Sequence, residues 1–266
     1  MIMKKLEDKT VWITGASSGI GQALARQLNA LGCTVVLSSR NETLLEVVQN
    51  NLPNPDKSMV LPLDLTKQEE FVPATKKVID RFKDIDILIN NGGISQRSFA
   101  SETPIDIDRA IMEVNYFGHI GLTKAVLPFM QTQKESHIVT ISSLSGKFGF
   151  FQRSAYAASK HALQGFFESL RLEEEKNNIK VLLAYPGFVN TNISQNALRS
   201  DGTTHGNHDE NQANGISPGE CAEKIINALL KDKLEVFPGG REVKAAKLKR
   251  FAPNTFHKVI KKQKPT

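Results

Sequence analysis

Short apolar runs rich in β-branched residues alternate along this chain with longer segments of helical period. VWIT (11–14) reads as a strand, and Ile20, Leu24, Leu28 and Leu31 then mark one face of a helix that Gly32 ends. TVVLSS (34–39) is the next strand, followed by a helix over 41–52. MVLPLD (59–64) precedes a capping box, Thr66-x-x-Glu69, and a helix to about Phe82. IDILIN (85–90) leads to a helix across 106–131. HIVTIS (137–142) leads through a loop to a helix over 153–177, and VLLAYP (181–186) follows. Ser217-Pro218-x-Glu220 starts a further helix, and LEVF (234–237) is a last short strand.

The strand runs are short, apolar and rich in β-branched residues, the pattern of strands covered on both faces, and the helices between them serve as crossovers. The expected fold class is α/β: a doubly wound parallel sheet of Rossmann type, in one domain over 1–240. Ligands of such a sheet sit beyond the carboxyl ends of its strands. One stretch breaks the alternation. Residues 190–215 (NTNISQNALRSDGTTHGNHDENQANG) are polar, Gly/Asn/Asp-rich and weakly periodic, and are expected to form a mobile substrate loop. His205 and His208 within it lack further ligands at metal-site spacing and read as solvated, so no metal is expected.

Composition adds little to this picture, and charge adds one feature. With 266 residues, 40% hydrophobic and 23% charged, the chain suits a single soluble domain. Cys33 and Cys221 lie far apart and read as buried thiols in a reducing compartment. No 18-residue apolar run is present, and residues 1–9 (MIMKKLEDK) are too polar and short for a signal peptide, so the expected location is cytoplasmic. The net charge of +6 is concentrated at one end: residues 241–266 hold nine Lys and Arg, Lys264 among them, against Glu242 alone. This basic C-terminal extension is expected to be solvated. Its interspersed Leu248, Phe251, Phe256, Val259 and Ile260 make peripheral contact with an anionic membrane the main rival. Nucleic-acid binding is not expected, because no recognition motif accompanies the charge.

Two motifs carry chemistry. Thr14-Gly15-Ala16-Ser17-Ser18-Gly19-Ile20-Gly21 joins the first strand to the first helix, where glycines permit a tight turn and bring backbone N–H groups up to a pyrophosphate. No Gly-Lys-Ser/Thr follows, so the turn is not a P-loop. The second strand ends on Ser38, Ser39 and Arg40. A carboxylate there would favour NAD; a guanidinium favours the 2′-phosphate of NADP(H). Asp64 and Leu65 at the third strand end are placed to meet the adenine, although Asp64 is also a good turn former. Asn90-Asn91-Gly92-Gly93 lets the chain pass close to the ribose.

The second motif is Tyr156-x-x-x-Lys160, preceded by Ser143. With 3 tyrosines and 24 lysines, some Tyr-x-x-x-Lys arises by chance in roughly a quarter of such chains, so context must support it. On a helix the two residues share a face. An ammonium near the phenol is expected to lower its pKa, fitting Tyr156 to move a proton, while Ser143 hydrogen-bonds the reacting oxygen. Phe148, Phe150 and Phe151 follow and suit either an apolar substrate pocket or the core.

From about residue 8 to 240 the chain resembles the short-chain dehydrogenase/reductase family. TGASSGIG matches its TGxxxGxG, and Ser143, Tyr156 and Lys160 fall on its catalytic positions. The resemblance adds Asn115 as a catalytic residue that helps hold a proton-relay water. It also places Pro186, Gly187, Val189 and Thr191 against the nicotinamide, and the Ser-Arg ending resembles the NADP-preferring subgroup. NNGG stands where the family has NNAG, which is expected to loosen that turn slightly. SGKFGFFQRSAYAASKHALQGFFESLRLE is similar to the dehydrogenase/reductase member 7 branch, near the 11β-hydroxysteroid dehydrogenase type. Many relatives there carry an N-terminal membrane anchor, and the opening residues of this chain do not read as one, so membrane residence and steroid specificity are not carried over.

The resulting expectation is an NADPH-dependent oxidoreductase interconverting an apolar ketone and a secondary alcohol. A homodimer or homotetramer is implied, through the helices at 106–131 and 153–177. Two alternatives stand beside it: a catalytically idle NADP(H)-binding sensor, and a 3-oxoacyl thioester reductase.

Overall fold

The computed structural model describes residues 6–263. Its centre is a parallel seven-stranded sheet in the order β3-β2-β1-β4-β5-β6-β7. The strands are β1 (Thr10–Thr14), β2 (Thr34–Ser38), β3 (Ser58–Val60), β4 (Ile87–Asn90), β5 (Ser136–Ile141), β6 (Ile179–Ala184) and β7 (Glu235–Val236). The chain winds outward from β1 to β3, then returns to the other side of β1 at β4. That reversal opens a crevice between the carboxyl ends of β1 and β4.

Both faces of the sheet are covered because successive side chains of a strand point in opposite directions. Val11 and Ile13 face one core with Val35, Leu37, Ile87 and Ile89, closed by Leu24 and Leu28 of α1 (Gly19–Ala30), Leu45 and Val48 of α2 (Glu42–Asn50) and Ile225 of α8 (Pro218–Leu229). Trp12, Val36, Leu88 and Ile138 face the other, closed by α3 (Phe71–Phe82), α5 (Gly118–Met130) and α6 (Ser154–Glu173). Leu163, Phe167 and Leu170 of α6 are buried there. Trp12 is fully buried and its indole N–H donates to Ser38 Oγ at 2.9 Å, satisfying its one polar group. Cys33 and Cys221 are both buried, and burial pushes each thiol up to about 12.

Several local expectations change. The third strand is regular only to Val60, although Leu61 N and Leu63 N still donate to Leu37 O and Ser39 O; Leu61 O accepts from Ser38 Oγ at 2.7 Å. The Thr66–Glu69 capping box does not form. Pro73 is accommodated only in the first turn of a helix, so α3 begins at Phe71, and Thr66 instead donates to Asp64 from both N and Oγ1 at 2.9 Å. The single helix expected across 106–131 is α4 (Ile105–Met112) and α5 joined by a π turn, Glu113–Phe117. The 153–177 helix ends at Glu173, with a separate 3₁₀ turn over Glu175–Asn177 and a left-handed Asn178. Ser217 caps α8, accepting from Glu220 N at 3.1 Å.

The 190–215 stretch has short-range order of its own. Bridges join Gln96 with Leu198, Leu198 with Thr204, and Val189 with Ile216, and a short helix, α7, spans Glu210–Ala213. The basic C-terminal segment folds back on the domain. It forms α9 (Lys244–Phe251) and α10 (Pro253–Ile260), and Phe256 packs on Leu144 and Phe148. The hairpin's cationic heads at Lys244, Lys247, Arg250, Lys258, Lys261 and Lys262 remain exposed. Lys264 lies outside the described residues, as do residues 1–5. Among the described residues no helix is long and apolar enough to cross a membrane.

Candidate active site

A cavity of about 1560 Å³ runs along the carboxyl ends of the strands. Pockets for one drug-sized ligand hold about 300–1,000 Å³, so this one has room for a cofactor and a substrate together.

Its cofactor end is built by the turn between β1 and α1. Gly15 has a φ of +64°, and a Cβ there would lie 2.8 Å from Gly92 Cα, so neither the conformation nor the space admits a side chain. Asn91 holds the turn: its Nδ2 donates to Thr14 O at 2.9 Å and Gly15 O at 3.2 Å. Ser17, Ser18, Gly19 and Ile20 present the N-terminus of α1 to the cavity, with no acid in its first turn. Unpaired N–H groups at the positive end of a helix dipole, reached through a glycine cradle, suit a pyrophosphate. Gly21 does not touch the cavity. It lies beneath the turn, where a Cβ would stand 2.2 Å from Gly15 O, so its role is close packing.

Ser39, Arg40, Asp64, Leu65 and Gly92 line the same end. Arg40 is exposed and makes no ion pair among the described residues. Burial works against ionisation of Asp64, but the two Thr66 hydrogen bonds, with Arg40 and Lys67, outweigh it and hold the carboxyl below its ordinary range. Asp64 is therefore a turn former as well as a lining residue. The missing methyl at Gly92 does not loosen the turn, because Leu65 Cδ1 fills its place, 2.7 Å from where a Cβ would be.

At the other end Ser143, from the loop after β5, meets Tyr156 and Lys160 from the first turns of α6. The Ser143 hydroxyl is close enough to Tyr156 to favour the ionised phenol. The expected lowering of the phenol's pKa by Lys160 is not found. Burial pushes Tyr156 above its ordinary value, opposed by the Ser143 hydroxyl and by the charges of Arg97 and Arg153. Lys160 Nζ stands over the Tyr156 ring, 5.8 Å from its centre, and donates to Ile141 O at 2.9 Å. Burial in turn brings Lys160 down to about 8.

Asn115 is fully buried in the π turn and does not line the cavity. Its Oδ1 accepts from Ile94 N at 2.8 Å, and its Nδ2 donates to Ile94 O at 2.9 Å and Ser159 Oγ at 3.1 Å. It thus ties the loop after β4 to α6, one residue from Lys160. Pro186, Gly187, Val189 and Thr191 line the cavity after β6. Of the aromatic run, Phe148 and Phe150 line it and Phe151 does not.

Two groups were not legible in the sequence. The C-terminal hairpin supplies the outer wall of the substrate end through Ala245, Leu248, Phe256, Val259 and Ile260. Glu242 fastens its start by accepting from Phe188 N at 3.1 Å, and Lys249 Nζ donates to Lys147 O at 2.9 Å. The second group is a buried ionic cluster, Arg97–Asp209–Arg153, whose two guanidiniums border the cavity. His205 lies 3.7 Å from the other oxygen of Asp209.

Residues 9–202 match the short chain dehydrogenase family. The chain belongs to that family. A dehydrogenase/reductase SDR family protein 7-like of Anopheles gambiae is 44% identical over 267 residues, 98% of this chain and 84% of the relative. A dehydrogenase/reductase SDR family member 7B of Rattus norvegicus is 41% identical over 263 residues, 96% of this chain and 81% of its own length. Among solved structures, a short-chain dehydrogenase from Streptomyces avermitilis superposes with a TM-score of 0.80 at 28% identity, over 95% of this chain and 98% of that one. The chain is an oxidoreductase of the short-chain dehydrogenase family, with a site that fits a nicotinamide dinucleotide.

Proposed function

We propose that this chain is an NADPH-dependent reductase that interconverts an apolar ketone and its secondary alcohol. The observation that carries the reading is that Tyr156, Ser143 and Lys160 share one cavity with a glycine-cradled helix N-terminus and with Arg40. A bound nicotinamide supplies or accepts the hydride at the carbonyl carbon. In reduction Tyr156 gives its phenolic proton to the carbonyl oxygen, and in oxidation it takes that proton back. Its raised pKa keeps the proton in place at neutral pH, which favours the donor role. Ser143 Oγ hydrogen-bonds the same oxygen as negative charge develops. Lys160 would hold the ribose hydroxyls of a bound dinucleotide, and Asn115 fixes the loop after β4 to α6 one residue away.

Preference for the phosphorylated cofactor rests on Arg40, whose exposed guanidinium offers a paired contact to a 2′-phosphate, with Ser39 beside it. An apolar substrate is supported by Phe148, Phe150 and the hairpin wall. A homo-oligomer is supported by Phe117, Phe129 and Leu172, large apolar side chains left 41%, 38% and 75% exposed around the α5 and α6 faces. A panel of ketones assayed with NADPH and NADH in parallel tests this function. Turnover of apolar ketones with NADPH well above NADH is the expected result. Arg40→Ala should weaken NADPH about tenfold, one charge-assisted contact, and leave NADH unchanged. Equal use of both cofactors by the wild type would remove the assignment to Arg40.

A further inference from the structure

We propose that Arg97 and Asp209 are positioning residues for Tyr156: they form a buried brace that draws three segments around the phenol and sets the Arg97 charge facing it. The brace is extensive. Arg97 Nε donates to Asp209 Oδ2 at 3.0 Å and its Nη2 donates to the same oxygen, while Nη1 donates to Ser95 Oγ at 2.9 Å and Gln96 O at 2.6 Å. Arg153, at the start of α6, reaches the same carboxylate oxygen from Nη2 at 2.9 Å. Backbone bonds run in parallel: Arg97 N donates to Leu198 O at 2.8 Å, Leu198 N to Ser95 O at 2.9 Å, and Asp209 N to Ser194 Oγ at 3.2 Å. Gln96 Oε1 accepts from Ala155 N at 2.8 Å, one residue before Tyr156. The loop after β4, the first turn of α6 and the 190–215 stretch thus converge on one carboxylate.

Stability does not explain such a cluster. The Arg97 and Asp209 side chains are each 1% exposed, and burying an ion pair costs desolvation that its attraction seldom exceeds. An apolar contact of similar volume would hold the segments as well. What the ions add is a fixed charge at a chosen place. Around Tyr156 stand Ser143 from the loop after β5, Lys160 and Arg153 from α6, and Arg97 from the loop after β4, with Asp209 and His205 behind them. Lys160 Nζ stands over the Tyr156 ring and donates to Ile141 O, and burial brings it down to about 8, so its charge fades before a buried phenol ionises. The charges of Arg97 and Arg153 both favour the ionised phenol. Arg97 therefore supplies to the phenol what the lysine of the motif supplies only in part.

This inference rests on Tyr156 being the proton-transfer group, but the phenol can be read without substrate. Ultraviolet difference titration of tyrosinate, each protein referenced to its own Tyr156→Phe partner, gives the Tyr156 pKa. Arg97→Gln should raise it by about one unit, a tenfold change in proton affinity, and Arg97→Lys should restore most of it. An unmoved phenol in Arg97→Gln, or an equal rise in Arg97→Lys, would overturn the proposal. If Arg97→Gln does not fold, Asp209→Asn carries the test: without its anchor the Arg97 guanidinium is no longer held toward the phenol, so the phenol's pKa should rise as in Arg97→Gln. A phenol unmoved or lowered there would overturn the proposal as well. An idle enzyme with a normal Arg97 effect would fault the proposed function and leave the brace standing.

Discussion

At residue 92 the deciding neighbour is Leu65. A Cβ there meets only the end of that flexible side chain, and Gly92 has no left-handed backbone to lose. Gly92→Ala should therefore fold with Leu65 rotated aside, its unfolding free energy within about 1 kcal/mol of wild type by urea titration. Gly15→Ala should be different in kind. Its φ of +64° and its backbone neighbour at 2.8 Å do not yield, so stability falls by about 1–2 kcal/mol and dinucleotide affinity falls with it. The burial of Lys160 ties stability to pH. Its folded pKa of about 8 lies below the unfolded value, so below pH 8 both states hold the proton and the burial penalty is fully present. Between about 8 and 10.5 the unfolded chain binds more protons, and stability rises with pH. Wild type should therefore gain on Lys160→Met when urea midpoints are compared at the two ends of that range; a constant difference would refute the assignment. Ser143, Tyr156 and Lys160 were legible because their spacing along one loop and helix is short. Arg97 and Asp209 stand 112 residues apart, and nothing in either neighbourhood announces the other.

Elements whose signal is local emerged from the sequence with nearly the right bounds. The strands did so because a run buried on both faces is uniformly apolar, and α8 because Ser217, Pro218 and Glu220 each state a helix start. The π turn was not legible, since one inserted residue hardly disturbs the apolar period of a long helix. Yet that turn buries Asn115, a residue the pattern alone would leave on the surface. The C-terminal hairpin was hidden differently. Its lysines dominate the composition, while the contacts of Phe256 lie more than a hundred residues upstream at Leu144 and Phe148. Phe256 packs edge-on against Phe148 at 5.0 Å between ring centres. Phe256→Ala should cost about 3 kcal/mol, and it should change the ranking of ketones by size while NADPH affinity stays fixed. An unchanged ranking would mean that the hairpin closes the fold without shaping the pocket.

Over the whole molecule, sheet order converts separate motifs into one site. The reversal between β1 and β4 opens the crevice, β2 and β3 bring Arg40 and Asp64 to one end, and β5 and β6 bring Ser143 and Pro186 to the other. The length of that cavity gives a dinucleotide and a second small molecule room to lie end to end along the strand ends. The most direct test is NADPH oxidation by Tyr156→Phe against wild type on one active apolar ketone, with NADPH affinity measured in both. Removing only the phenolic oxygen should lower turnover about 10²–10⁴-fold and leave NADPH binding within twofold. Turnover equal to wild type would contradict the account at its centre.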